Sequence, residues 1–79
     1  MMISNHAQRE MYRAGITEEE IAQCIEYGKL EFTEIVKGEV RHGKYLVLKD
    51  KDITVVYTFR KNTIRVITVY PIRRKQWEK

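Results

Sequence analysis

His6, Arg9 and Arg13 are the residues of this sequence whose types and spacing fit acid–base chemistry on a charged group. They recur at intervals of three and four positions, which places them along one face of a helix. An imidazole titrates near neutral pH and can carry a proton, while neighbouring guanidinium groups hold a phosphate. The alternative is a solvated helix face on which Glu10 simply pairs with His6.

Thr68 and Tyr70 supply hydroxyl groups on the predicted last strand. Side chains of a strand alternate between its faces, so both residues are expected to share a face with Ile64 and Val66. The two hydroxyl groups could contact a reacting phosphate or orient a proton carrier, and Arg65 could offset the phosphate charge. The alternative is that threonine and tyrosine occur here as ordinary β-forming residues.

Basic residues form two further groups. The first, at 41–44, contains Lys44 and a second histidine, His42, which could replace or assist His6; we prefer its interpretation as a charged edge strand. The second follows the last strand and combines cations with Trp77, as single-stranded RNA binding uses, although Trp77 could instead pack on the helices. The candidate RNA-binding residues are Arg9, Arg13, Lys44, Arg65, Arg73 and Arg74.

The composition is that of a small basic protein, and residues 1–79 are expected to form a single domain. The chain has a net charge of +4, and its positive segments at 60–61 and 73–75 are free of acids. A polarised basic surface of this kind is typical of a nucleic-acid footprint. Cys24 is the only cysteine, so no intramolecular disulfide can form, and a buried thiol in a reducing compartment is expected.

Several classes of site are disfavoured by what the sequence lacks. No cysteine and histidine ligands stand at metal-binding spacing, so neither a metal nor a cofactor is expected. No apolar run approaches the roughly 18 residues of a membrane span, and no signal pattern begins the chain. We therefore expect a cytoplasmic protein that does not act at a membrane.

Two short helices are predicted to position the first group of candidates. Ser4 is a suitable N-cap for a helix over about 5–13, and Gly15 supplies the left-handed residue that ends it. Thr17 begins a second helix, because Glu20 stands three residues later and completes a capping box.

Beyond residue 28 the hydrophobic period changes to two, which predicts strands. The short links at 49–52 and 61–62 require antiparallel hairpins, and Pro71 is expected to end the last strand. The predicted fold class is α+β, with two N-terminal helices packed on one face of a four-stranded antiparallel sheet. Its four strands cover about 29–38, 40–48, 53–59 and 63–70.

Most of the chain resembles a family of small bacterial domains of unknown function, DUF4258. The resemblance rests on short motifs, which are His6-Ala7, Met11, Gly15-Ile16, Thr17-Glu18-Glu19-Glu20, Ile67-Thr68-Val69-Tyr70-Pro71 and Trp77. These domains are similar to the RelE-like, barnase-related ribonuclease fold, which includes toxins of toxin–antitoxin pairs. The resemblance implies a metal-independent endoribonuclease that acts on RNA and is neutralised by a separate antitoxin protein.

The sequence departs from the family pattern in its basic residues. The family has them four and eight positions after the histidine, where this chain has Glu10 and Ala14. Arg9 and Arg13 stand one position earlier, and one position rotates a side chain by about 100° around a helix. The resemblance therefore carries over to His6, Thr68 and Tyr70, but the two arginines need not reach the same site.

Three functional hypotheses follow. The first is a RelE-like ribonuclease with His6, Thr68 and Tyr70 as its catalytic residues. The second is a non-catalytic RNA- or protein-binding module of the same fold. The third is a DNA-binding helix-turn-helix, which the three glutamates beginning the second helix disfavour, since DNA phosphates repel them.

Overall fold

The structure is a computed structural model that describes residues 1–72, and the candidates Arg73, Arg74 and Trp77 lie outside the described residues. Neither helix is long or apolar enough to cross a bilayer, among the described residues. The elements, in chain order, are β1 (Met2–Ile3), α1 (Asn5–Ala14), α2 (Glu18–Tyr27), β2 (Lys29–Val36), β3 (Glu39–Val47), β4 (Asp52–Arg60) and β5 (Thr63–Ile72).

Both helices begin and end where their capping residues predict. The Ser4 hydroxyl accepts the backbone N–H of Ala7, and Gly15 ends α1 with φ 70°. At the start of α2 the Thr17 hydroxyl accepts the N–H of Glu20, whose carboxylate in turn accepts the N–H of Thr17. The predicted helices are confirmed because capping depends only on residues three or four positions apart.

The predicted four-stranded antiparallel sheet is wrong. The sheet has five strands in the order β1-β5-β4-β3-β2, and it is mixed because β1 runs parallel to β5. Met2 and Ile3 pair with Arg65 and Val66. Two residues are too few to show an alternating pattern, so this strand forms only where β5 offers it backbone partners. The α+β class and the three antiparallel hairpins remain.

A β-bulge in β5 overturns the predicted facing of Thr68 and Tyr70. Val56 of β4 pairs with Thr68, and the following residue of β4, Tyr57, pairs with Val66. Ile67 lies between the two paired residues of β5 and has no partner of its own in β4, so it is the extra residue of the bulge. One extra residue inverts the alternation that follows it. Thr68 and Tyr70 therefore lie on the face opposite Ile64 and Val66.

Pro71 does not end the last strand, since β5 continues to Ile72. Beyond Val66 the outer edge of β5 has no strand beside it among the described residues, because β1 ends at Ile3. An edge strand is the setting in which a sheet tolerates a residue without a backbone N–H. The predicted turn at Lys61 and Asn62 is confirmed, and both residues have positive φ, as a two-residue hairpin turn of this type requires.

The core lies between the two helices and one face of the sheet, which we call the helix-covered face. Its buried side chains are Ala7, Ile16, Ile21, Cys24, Ile53, Val55, Tyr57, Val66 and Val69. The opposite face, which we call the helix-free face, carries Thr54, Val56 and Thr58 of β4 and the residues paired with them. The first face holds the fold together by apolar burial, and the second carries polar and aromatic groups.

Segment 41–44 is not an edge strand as predicted. β3 lies between β2 and β4, so both of its edges are paired. Its charges are satisfied within the structure: Arg41 donates to Glu39, and Lys44 donates to the backbone carbonyl of Ile25 at 2.6 Å. Arg41 thus pairs within β3 and Lys44 reaches α2, and neither cation protects a free edge.

Candidate functional site

His6 and Thr68, which are 62 residues apart in sequence, meet at the open edge of β5. The Nε2 atom of His6 lies 3.1 Å from Oγ1 of Thr68, at an exposed position. A hydroxyl can either donate to this nitrogen or accept from it, so the contact suits both tautomers of the ring. Nδ1 of His6 has no hydrogen-bond partner among residues 1–72. The imidazole is thus oriented by one nitrogen and accessible through the other.

Ser4 is the residue that brings α1 to this edge. Its backbone N–H donates to the carbonyl of Val66 at 3.0 Å, and its hydroxyl donates to the carbonyl of Ile67 at 2.9 Å. The same hydroxyl caps α1, so the first turn of the helix begins beside the unpaired part of β5. His6 lies in that turn and reaches Thr68 around the edge.

Tyr70 follows Thr68 at the next position on the helix-free face. Thr68 is opposite Val56, and Tyr70 is opposite Thr54. Tyr70 is 41% exposed and faces a groove on this surface. The predicted pair of hydroxyl residues is therefore brought to one face, but only Thr68 contacts His6.

Arg65 lies on the same face, three residues before Thr68, opposite Thr58. It lines a small concavity of about 190 Å³ together with Arg60 and Lys61. These two neighbours were noted in the sequence only as an acid-free segment, and their closeness to Arg65 depends on the β4–β5 hairpin. The three cations make this end of β5 attractive to a phosphate.

Glu39 partly offsets this positive charge from β3. Its carboxylate accepts from Arg60 at 2.7 Å and from Arg41 at 3.1 Å. The hydrogen bonds from Arg60 and then Arg41 hold the pKa of Glu39 below its usual value, so it stays ionised. One acid shared by two arginines leaves a net positive charge, to which Lys61 and Arg65 add.

No described hydrogen bond joins Arg9 or Arg13 to the His6–Thr68 pair. Both arginines line a concavity on the outward surface of α1, whose described lining residues all belong to that helix. Arg13 also donates to the carboxylate of Glu10 at 2.9 Å. Arg9 still lies within one helical turn of His6, although only His6 of the three makes a described hydrogen bond to β5.

Lys44 and Cys24 have structural contacts on the helix-covered side. The Lys44 ammonium group binds the carbonyl of Ile25 near the end of α2, where a cation also suits the helix dipole. Cys24 is fully buried and lies 3.3 Å from the carbonyl of Lys44. Burial raises the pKa of the Cys24 thiol to about 11, against weaker lowering by a backbone hydrogen bond and by Lys44. The thiol is thus protonated at neutral pH and is not a nucleophile.

The remaining histidine, His42, occupies different surroundings. Its Nδ1 lies 3.2 Å from the hydroxyl of Thr33, and its ring centroid lies 5.5 Å from that of Tyr57. Both partners are its neighbours across the sheet, in β2 and β4. Within residues 1–72, no three His, Cys, Asp or Glu side chains form a group that could hold a metal ion.

Sequence reasoning missed an aromatic groove on the helix-free face. Phe32 and Tyr45 line it together with Tyr70, although they belong to three different strands. An aromatic residue in a strand is ordinary, so the single sequence offered no signal that these three rings converge.

The chain was also compared with known families and structures. A family model described as a domain of unknown function, DUF4258, matches residues 3–71, which include every described element except the ends of β1 and β5. No curated protein and no solved structure gives a match. The matched range covers most of the 79 residues and includes His6, Thr68 and Tyr70. The chain therefore belongs to the DUF4258 family, as its sequence motifs predicted.

Proposed function

We propose that this protein is a metal-independent endoribonuclease with a RelE-like organisation. The observation that carries the proposal is the contact of 3.1 Å between His6 Nε2 and Thr68 Oγ1. It joins a proton carrier to a hydroxyl on an exposed edge, three residues from Arg65. An oriented imidazole beside cations is the combination that RNA transesterification requires.

The reaction proceeds through the RNA's own ribose. His6 takes the proton of the 2′-hydroxyl, whose oxygen attacks the adjacent phosphorus and displaces the 5′-oxygen. The products are a 2′,3′-cyclic phosphate and a 5′-hydroxyl, and the departing oxygen receives a proton from the imidazolium or from water. Because Nδ1 is the accessible base, Nε2 carries a hydrogen both before and after proton transfer and donates it to the Thr68 hydroxyl throughout.

The cations stabilise the charge that gathers on the phosphate. Arg65 is the first choice, because it shares the helix-free face with Thr68 and has Arg60 and Lys61 beside it. Tyr70 supplies a second hydroxyl at the next position of that face. Arg9 and Arg13 are assigned to other parts of the bound RNA, and Arg73 and Arg74 keep the RNA-binding role that the sequence predicts. Lys44 is left out because it binds the carbonyl of Ile25.

The biological setting is a further part of the proposal. A RelE-like ribonuclease of this size acts in the cytoplasm as the toxin of a toxin–antitoxin pair. Its activity is then held in check by a separate antitoxin protein. The basic surface of the chain favours an antitoxin segment that is acidic.

Induced expression in a bacterial host tests this function directly. Wild type should slow growth and fragment cellular RNA, whereas His6→Ala should do neither at equal protein level. Purified wild type should cleave RNA in the presence of a chelator and leave 2′,3′-cyclic phosphate ends. His42→Ala is the matched control, because it removes the other histidine of the chain.

Cleavage by His6→Ala at the wild-type rate would remove His6 from the mechanism. Cleavage that stops in chelator would contradict the metal-independent reaction. Melting temperatures of the three proteins are compared first, so that lost activity is separated from lost folding.

A second candidate function is a binding module without catalysis. It is favoured by the concavity that Arg9 and Arg13 line on α1, because its described lining residues include neither His6 nor Thr68. RNA affinity that falls steeply with salt, with no cleavage products, would select this alternative. The helix-turn-helix hypothesis stays the least favoured, because α2 begins with three glutamates, which DNA phosphates repel.

A further inference from the structure

A groove of about 380 Å³ on the helix-free face gathers three aromatic rings. Its lining residues are Glu31, Phe32, Tyr45, Thr54, Tyr70 and Ile72. Aromatic side chains on a sheet surface are platforms on which unpaired bases stack. The groove is open to solvent on one side and buried Thr54 lies at its base.

Two rows of paired residues direct the rings into the groove. Tyr45 is opposite Thr54, which in turn is opposite Tyr70. In the next row Phe32 is opposite Gly43, and any side chain at Gly43 would clash with the Phe32 ring. The missing side chain of Gly43 therefore leaves the space in which that ring lies across the sheet.

The groove adjoins the proposed reaction site. Thr68 and Tyr70 are alternate residues of one strand, so their Cα atoms are roughly 6.6 Å apart. That spacing is comparable to the distance from a phosphate to the base of a neighbouring nucleotide. An RNA whose phosphate lies at His6 and Thr68 can therefore place one base against Tyr70 without distortion of the sheet.

Glu31 gives the groove a hydrogen-bonding preference. Leu30 and Phe32 of β2 pair with adjacent residues of β3, so Glu31 between them has no partner and forms a bulge. The bulge lets Glu31 line the same groove as Phe32. An ionised carboxylate only accepts hydrogen bonds. Adenine, cytosine and guanine carry an amino group that can donate to it, whereas uracil presents carbonyl oxygens beside its single N–H.

We propose that this groove is a nucleobase subsite that stacks one base of the bound RNA and favours amino-bearing bases over uracil. The inference rests on the proposed function for the position of the phosphate. It extends that function by assigning Phe32, Tyr45 and Tyr70 to stacking and Glu31 to base selection. The hydroxyl of Tyr70 then binds the phosphate, while its ring stacks on the base.

Binding of RNA that cannot be cleaved tests the subsite separately from catalysis. The probes are short fluorescent 2′-O-methyl oligonucleotides of adenosine, cytidine or uridine, whose blocked 2′-oxygen prevents transesterification. Tyr70→Ala should weaken binding of the adenosine probe by about 5- to 100-fold, and Tyr70→Phe should retain it, since stacking needs only the ring. Tyr27→Ala, which removes an exposed tyrosine of α2, should bind like wild type.

Base selection is tested with Glu31→Gln. Wild type should bind the cytidine probe more tightly than the uridine probe, and the substitution should reduce this ratio about three- to tenfold, because an amide also donates to carbonyl oxygens. Glu26→Gln, an exposed glutamate of α2, is the matched control and should keep the ratio.

The outcomes separate the two proposals. Selective binding that depends on Tyr70 and Glu31, with no cleavage of ordinary RNA, supports the subsite and overturns the nuclease. Cleavage by wild type with unchanged affinity of Tyr70→Ala overturns the subsite and leaves the nuclease intact. Failure of wild type to bind any of the three probes overturns the subsite as well.

Discussion

The two histidines of this chain make nearly the same contact in different surroundings. His6 lies 3.1 Å from Thr68, and His42 lies 3.2 Å from Thr33. The first pair joins a helix to the open edge of β5, with the cation Arg65 on the same strand. The second joins two adjacent strands, within a cross-strand row that continues to Tyr57. A histidine–threonine contact therefore does not define a site by itself.

What differs is the environment each ring offers to a substrate. His42 packs at 5.5 Å from Tyr57, whose ring makes an edge contact with Phe59 at 6.0 Å. Ring packing of this kind stabilises a sheet, and it brings no positive charge. His6 is exposed and keeps Nδ1 without a described partner. We therefore expect one histidine to affect activity and the other to affect stability.

The largest expected effect is on RNA cleavage. His6→Ala should lower the cleavage rate by about 10²- to 10⁴-fold, because it removes the general acid–base group. His42→Ala should change the rate by less than about threefold once its lower stability is allowed for. Rates on a labelled RNA at several pH values measure both. An equal loss of cleavage rate in the two variants would contradict the assignment of a catalytic role to His6 alone.

Burial of the Cys24 thiol should make the free energy of unfolding fall at alkaline pH. The thiol has a pKa of about 11 in the fold and an ordinary value of 9.0, so the unfolded chain releases the proton first. The stabilisation is complete below pH 9 and is lost as pH rises toward 11, by about 2 kcal/mol. Denaturant unfolding should show this alkaline decline in wild type and a weaker decline in Cys24→Ala. An unchanged decline would contradict the burial argument.

Stability should rank the histidines in the opposite order from activity. His42→Ala should lower the free energy of unfolding by about 1–2 kcal/mol, since it removes the contacts with Thr33 and Tyr57. His6→Ala should lower it by at most about 0.5 kcal/mol, because the residue is exposed. Chemical denaturation of both variants measures the difference. A larger loss for His6→Ala would show that its contact is mainly structural.

The smallest expected effect concerns the two threonines. Thr68→Val keeps the shape of the side chain and removes the hydroxyl that orients His6, which should slow cleavage about three- to tenfold. Thr33→Val removes the equivalent hydroxyl beside His42 and should leave cleavage unchanged. Single-turnover rates of the two variants make the comparison. Wild-type rates in both would mean that the imidazole is positioned by α1 alone.

Local signals in the sequence predicted much of this architecture. The helix boundaries depended on Ser4, Gly15 and the Thr17–Glu20 capping box, and each acts over a few residues. The β4–β5 hairpin followed from its two-residue link. Family membership followed from short motifs and is confirmed by the match over 3–71.

The site was predicted in part, and the reason is geometric. His6 and Thr68 were named as candidates, but the face on which Thr68 lies was wrong because of the bulge at Ile67. Arg9 and Arg13 are neighbours of His6 along α1, but helical spacing does not say where a helix docks, so their part in the site stays a prediction. No single-sequence signal pointed to Phe32 or Tyr45 as part of a groove.

The amino-acid order alone determined the helices, most strand positions and the cationic balance, because each depends on residue type or on neighbours in sequence. Tertiary structure alone decided the pairing of β1, the bulges at Glu31 and Ile67, and the meeting of His6 with Thr68. A bulge moves every later side chain of its strand to the other face of the sheet. A strand of two residues, such as β1, is too short to show an alternating hydrophobic pattern in the sequence. Such features arise only when distant segments compete for the same hydrogen bonds and the same core.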